Sequence, residues 1–183
     1  MRIITGKARG LKLTTPKNMD VRPTSDRVKE SLFSIIGTKI VGTHVLDLFA
    51  GTGNLGLEAW SRGAEKVVFV DESHASLQLV RSNITKAKAE DMTTVIKGNA
   101  VKVIADLTAR GEKFDFIFCD PPYNKGLPAQ IIQMVAKYDL VIPGGYLIVE
   151  HSQHESLPEL PTKFEVIRCE KYGETLISFL RCK

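Results

Sequence analysis

From residue 44 onward the chain alternates short apolar runs with helical stretches, and this alternation limits the fold more than any other feature. Residues 45–49, 66–71, 93–97, 114–119 and 146–150 read as strands, and 54–62, 75–87, 100–109 and 128–138 as helices. Strands this continuously apolar need cover on both faces, which predicts a doubly wound parallel α/β sheet. Two further runs, 164–169 and 176–180, flank Lys171-Tyr172-Gly173-Glu174 and predict a closing hairpin. The 183 residues suit one domain, expected to span 1–183, with 1–37 as a basic hairpin-plus-helix extension. The apolar runs fall short of the ~20 residues a membrane span needs. No signal-peptide pattern opens the chain. Cys119, Cys169 and Cys182 are odd in number and lack C-x-x-C spacing, so a reduced, cytoplasmic protein without disulfides is expected.

Positive charge is concentrated at the start. Residues 1–30 hold eight Lys/Arg against three Asp/Glu, a surplus of five in a chain of net charge +4. Such a cluster steers a polyanion toward the surface that carries it. Two short β patterns, 2–5 and 11–14, flank Gly6-Lys7-Ala8-Arg9-Gly10 and predict a β-hairpin. After Arg22-Pro23, a helix is expected with Thr24 or Ser25 as N-cap and Asp26 in its first turn. Val28, Leu32, Ile35 and Ile36 form its apolar stripe, and Gly37 ends it.

The first core strand runs into Asp47-Leu48-Phe49-Ala50-Gly51-Thr52-Gly53-Asn54-Leu55-Gly56. Gly51, Gly53 and Gly56 match G-x-G-x-x-G between a strand and a helix, where a ligand lies against bare backbone at the positive end of a helix dipole. Asp71 closes the second strand, where a carboxylate accepts hydrogen bonds from ribose hydroxyls. Asp47 stands at the end of the first strand, close to the expected ligand. A carboxylate there suits an ammonium or sulfonium and repels a pyrophosphate. The third strand ends in Gly98-Asn99-Ala100, a position expected to meet adenine. The cofactor set is therefore Asp47, Ala50, Gly51, Thr52, Gly53, Asp71, Asn99 and Ala100. The D-x-x-A-G-x-G run resembles motif I of S-adenosylmethionine-dependent methyltransferases.

Directly after the apolar strand Phe114–Cys119 comes Asp120-Pro121-Pro122-Tyr123. Open α/β sheets place ligands at strand ends of this kind. Successive prolines fix the backbone and present carbonyls, while an aromatic ring offers a surface for a flat base. The tetrapeptide resembles the [D/N]-P-P-[Y/F] motif of methyltransferases that act on exocyclic base amines. Such an amine is a poor nucleophile, because its lone pair is delocalised into the ring. Bonds to the Asp120 side chain and the Pro121 carbonyl would hold it with its lone pair aimed for in-line displacement. Tyr123 would stack on a base swung out of its helix.

Taken along its length, the chain resembles the bacterial RsmD family, methyltransferases of the 2-amino group of one guanine in small-subunit ribosomal RNA. The resemblance is carried by the opening R-I-I-T-G-K-A-R-G, by R-P-T-S-D-R-V-K-E-S-L-F from Arg22 to Phe33, by 46–63, by Asp120–Tyr123 and by Tyr172-Gly173-Glu174-Thr175. It implies a seven-stranded Rossmann-like methyltransferase sheet with a reversed last strand. It also implies S-adenosylmethionine as donor and ribosomal RNA, in an assembled or partly assembled subunit, as partner. Lys7, Arg9, Arg22, Thr24, Arg27 and Tyr123 then become the expected RNA contacts, with Lys12 also on the hairpin. A monomer is the expected state.

Other residues weigh less. His151 and His154 lack a convincing third ligand, so no metal is expected. Cys119 and Trp60 read as packing residues, and whether Glu150 faces the cleft is left open. Three rival readings stay in view: a DNA or RNA adenine amino-methyltransferase, a non-catalytic nucleic-acid-binding module, and a nicotinamide-dependent oxidoreductase. Asp47 disfavours the last, which also leaves Asp120–Tyr123 unexplained.

Overall fold

A computed structural model describes residues 1–16, 26–123 and 125–183. Helix α1 (Asp26–Ile36) leads into strand β1 (His44–Leu48), helix α2 (Asn54–Ser61), β2 (Lys66–Asp71) and α3 (His74–Ala87). Then follow β3 (Thr93–Lys97), α4 (Ala100–Ala109), β4 (Phe114–Cys119), α5 (Leu127–Lys137), β5 (Val141–Ser152), β6 (Phe164–Tyr172) and β7 (Thr175–Cys182). The seven strands form one sheet in the order β3-β2-β1-β4-β5-β7-β6. Strands β1 to β5 pair in parallel, and β7 runs antiparallel to both of its neighbours.

Both faces are covered, as the apolar strand runs require. On one face Val45, Phe69, Phe118, Ile148 and Phe179 pack with Phe33, Leu57 and Val80 of α1 to α3. On the other, Leu46, Val70, Ile117 and Val149 pack with Ile104, Ile131 and Ile132 of α4 and α5. Alternation along each strand therefore assigns every second residue to one of two cores. Strand β5 is longer than its sequence pattern, starting at Val141 rather than Tyr146, and a bulge between Phe114 and Phe116 takes up the register shift. Helix α1 ends at Ile36 as expected, and a 3-10 turn, Gly37–Ile40, continues the chain toward β1. Thr24 and Ser25, its expected caps, lie outside the described residues.

The N-terminal hairpin forms as a short one. Residues 2–5 and 11–14 pair through an antiparallel bridge, Arg2 with Lys12, and the Ile3, Gly10 and Leu13 N–H groups donate across it to the Leu11, Ile3 and Met1 carbonyls at 2.9, 2.8 and 3.2 Å. Other backbone donors of the segment turn to α2. The Ile4 and Thr5 N–H groups donate to the Glu58 carboxylate at 2.8 and 3.1 Å, and the Lys7 N–H donates to the Ser61 carbonyl at 2.9 Å. The segment is thus laced to α2 as well as to itself. Gly6 is obligatory there, since a Cβ on it would fall 1.9 Å from the Ser61 carbonyl oxygen.

Lys29 also leaves the basic cluster. Its side chain is fully buried, and its Nζ lies 2.5 Å from the Arg2 carbonyl, 2.7 Å from Asn54 Oδ1 and 3.2 Å from Glu58 Oε2. Burial holds this ammonium below its usual range, against the pull of Glu58. Arg2 is half neutralised as well, 3.3 Å from Asp26.

Candidate active site

Register brings the two sequence motifs side by side. Leu48 of β1 pairs with Cys119 of β4, and Cys119 pairs with Val149 of β5. One residue past these pairs the chain enters the glycine turn on β1, Asp120 on β4 and Glu150 on β5. Three neighbouring strands therefore deliver their ends to one edge of the sheet, where open α/β sheets bind ligands.

The turn is built on left-handed backbone: Phe49 (φ +61°), Gly51 (φ +58°) and Gly53 (φ +79°). The non-glycine Phe49 costs on the order of 1 kcal/mol there, strain of a kind that collects at functional sites. The Ala50 N–H donates to the Val70 carbonyl at 2.9 Å, and the Gly53 N–H closes the turn on the Ala50 carbonyl at 2.7 Å. A Cβ on Gly51 would meet only the Phe49 carbonyl, at 3.9 Å, so the space over that residue is open. Gly56 has a different reason. A Cβ there would sit 2.3 Å from the Phe69 ring, so glycine lets α2 approach β2.

Asp71 holds the turn from β2. Its Oδ2 accepts the Gly51 N–H at 2.9 Å, and its Oδ1 accepts the Ser73 N–H at 2.9 Å. Asp47 is only 2% exposed and turns Oδ2 onto the Gly56 N–H at 2.8 Å, bracing the turn. Burial pushes its carboxyl up to about 8; the Gly56 bond opposes the shift and the Asp71 charge adds to it. Thr52 is buried, its Oγ1 3.1 Å from Met1 Sδ and its carbonyl accepting from Asn83 Nδ2 at 2.9 Å. Asn99 is exposed and caps α4 through the Val101 N–H at 3.1 Å, with Ala100 buried behind it. Open backbone at Gly51 and acceptors at Asp71 and Asn99 fit a nucleoside ligand with free hydroxyls.

Beyond β4, Pro121 is buried, Asp120 half-buried and Pro122 exposed. The Tyr123 hydroxyl donates to Glu150 Oε1 at 2.7 Å and lies 2.9 Å from Thr175 Oγ1 at the start of β7. Desolvation keeps this phenol well above its ordinary range, so the ring is a neutral donor. Cys119 is buried, and desolvation followed by the Asp120 and Asp47 charges pushes its thiol far up, as befits a packing residue.

The expected RNA contacts are dispersed. Lys7 sits 4.0 Å above the Trp60 ring, near the last residue of α2 and thus roughly 12 Å of helix from the glycine turn. Arg9 and Arg27 are exposed, whereas Arg22 and Thr24 lie outside the described residues. His151 is buried, its Nε2 2.9 Å from Ser178 Oγ, while His154 is exposed. Among the described residues no group of three His, Cys, Asp or Glu could hold a metal.

Three contributors escaped sequence reasoning. Thr175 lay inside a recognised motif but had no assigned role, and its pairing with Tyr123 needs the β5-β7 register. Asn83 is fully buried on α3 and joins the Thr14 backbone to the Thr52 carbonyl. Glu58, mid-helix on α2, gave no signal beyond its being a charged residue in an apolar stretch.

Sheet order, reversed seventh strand, glycine turn and D-P-P-Y together define a Rossmann-like methyltransferase fold. The family described as "Conserved hypothetical protein 95" matches residues 1–181. The Ribosomal RNA small subunit methyltransferase D of Escherichia coli (strain K12) is 33% identical over 174 residues, 95% of this chain and 86% of that one. The solved structure of yhhF from Escherichia coli superposes with a TM-score of 0.89 at 32% identity, over 100% of this chain and 98% of that chain. SMU.776, solved in complex with SAH, shares the fold alone, at TM-score 0.68 and 14% identity over 85% of this chain and 49% of that one. This chain belongs to the RsmD family.

Proposed function

We propose that the chain methylates the exocyclic 2-amino group of a guanine in small-subunit ribosomal RNA, with S-adenosylmethionine as methyl donor. One observation carries this reading: the Leu48–Cys119 register that sets the glycine turn directly beside Asp120–Tyr123. The name of the Escherichia coli relative supports the choice of ribosomal RNA.

In this reading Gly51, Asp71 and Asn99 hold the cofactor, with Ala50, Thr52, Gly53 and Ala100 shaping its seat and Asp47 bracing the turn. The cofactor supplies a methyl group activated by its sulfonium. The Asp120 side chain and the Pro121 carbonyl accept hydrogen bonds from the base amine and orient its lone pair, and Pro122 stiffens that backbone. Tyr123, tethered through its hydroxyl, stacks on the base face. The methylated amine sheds a proton to Asp120 or to water, since an ordinary carboxylate is a weak base for this step.

Arg27 guides the RNA near the strand ends, together with Arg22 and Thr24. Lys7 and Arg9 meet a phosphate run farther off along α2. The enzyme acts as a cytoplasmic monomer on an assembled or partly assembled subunit. The direct test uses methyl-labelled S-adenosylmethionine and subunits from cells lacking this gene. Wild type transfers label, and Asp120→Ala loses at least about 100-fold in rate while cofactor affinity stays within about threefold. Full activity in Asp120→Ala ends this assignment.

A further inference from the structure

We propose that Glu150 reads the target base, its carboxylate accepting the ring N1–H of guanine beside the amine held at Asp120. The inference rests on the guanine reading above and supplies the specificity that D-P-P-Y alone lacks.

Position comes first. Cys119 and Val149 are the last paired residues of β4 and β5, so Asp120 and Glu150 emerge from adjacent strands. Adjacent strands lie about 4.8 Å apart, within the reach of one base edge. Ile148 packs in the same core as Phe118, and alternation returns Glu150 to that side of the sheet. The Tyr123 hydroxyl then fixes the carboxylate at 2.7 Å, with buried Thr175 2.9 Å from the same oxygen. The ring on which the base stacks and the group at its rim are one rigid unit.

Chemistry makes the choice. Guanine presents an N1–H donor next to its 2-amino group, whereas adenine presents a bare N1 acceptor next to its 6-amino group. Asp120, the Pro121 carbonyl and Glu150 form a row of acceptors. That row pairs with two adjacent donors and repels an acceptor between them. Sites built to bond a polar group discriminate strongly against analogues that lack it, because their own groups are left unpaired.

The test replaces the methylated guanine by 2-aminopurine, which keeps the 2-amino group and has a bare N1, in ribosomal RNA reconstituted into small subunits. Wild type is expected to show at least about tenfold lower kcat/KM on 2-aminopurine than on guanine. Glu150→Gln should lose about tenfold on guanine and little on 2-aminopurine, bringing the ratio within about threefold of unity. Tyr123→Phe, which releases the carboxylate from its tether, should lower the ratio part of the way. Equal wild-type rates on the two bases overturn the proposal, and so does a Glu150→Gln ratio unchanged from wild type, which makes Glu150 a prop for Tyr123 only. If Glu150→Gln fails to fold, equal wild-type rates on the two bases still overturn the proposal. Absence of any label in guanine removes the preceding reading as well, so the two failures are distinct.

Discussion

Lys29 and Glu58 face each other at 3.2 Å with both side chains fully withdrawn from water. Glu58 also receives Arg62 Nε at 2.8 Å and the N–H groups of Ile4 and Thr5, and Lys29 also reaches Asn54 at the start of α2. The pair thus ties the N-terminal segment and α1 to the helix that follows the glycine turn. Removing one partner strands the other in apolar surroundings. Glu58→Ala should lower stability by about 3–5 kcal/mol in urea unfolding. Lys29→Met should cost less, because Glu58 keeps its other donors.

Asp47 predicts a pH dependence. Its carboxyl titrates at about 8 in the folded protein, against an ordinary value of 3.8. Between these values the folded state holds a proton that the unfolded chain releases, so this group's contribution to stability falls as pH rises from about 4 to about 8. Asp47→Asn still accepts from Gly56 and has no such proton. The stability of Asp47→Asn minus that of wild type should therefore grow with pH up to about 8 and then level off. A difference that stays flat in denaturant titrations from pH 5 to 9 contradicts this placement.

The glycines of the turn separate by cause. Gly56→Ala drives a methyl into the Phe69 ring and should cost about 1–3 kcal/mol, with Phe69→Leu recovering part of the loss. Gly51→Ala meets no close neighbour and should lose about 1 kcal/mol through its left-handed backbone, together with cofactor affinity. Thermal unfolding with and without S-adenosylmethionine distinguishes the two.

Tyr123 contributes a ring and a hydroxyl. Tyr123→Ala should reduce kcat/KM by about 10- to 100-fold through lost stacking, and Tyr123→Phe by about fivefold through the lost hydroxyl bonds. Equal effects of the two changes in steady-state kinetics would assign the function to the hydroxyl alone.

Charge at the start of the chain sets salt dependence. Changing Lys7, Arg9 and Arg27 together to Gln should lower the slope of log affinity against log salt by roughly 2, at about 0.7 per phosphate contact. Filter binding of small-subunit RNA from 50 to 200 mM salt reads this slope.

The centre of the sheet was legible because β1, β2 and β4 are mostly apolar, and a run such as Phe114–Cys119 has no stable home except between two covered faces. Glycine turn and tetrapeptide were legible because their residue types serve backbone geometry that other residues resist. What escaped depends on long-range competition. Nothing near Ile4 announces that its N–H belongs to Glu58, 54 residues away, so the docking of the hairpin on α2 was not foreseen. The bond from Gly56 to Asp47 was not legible, because it forms only once α2 has closed over β2. Tyr123 meets Thr175 across 52 residues, a contact set by strand order and invisible to local pattern.

The most direct measurement is nucleoside analysis of small subunits from cells lacking this gene, after incubation with the protein and methyl-labelled S-adenosylmethionine. Label in 2-methylguanosine is the predicted result and joins donor, base and substrate class in one observation. Label in a methylated adenosine keeps the chemistry at Asp120 and contradicts the guanine assignment. No label in subunits, naked RNA or DNA contradicts the enzyme itself and leaves a nucleic-acid-binding module.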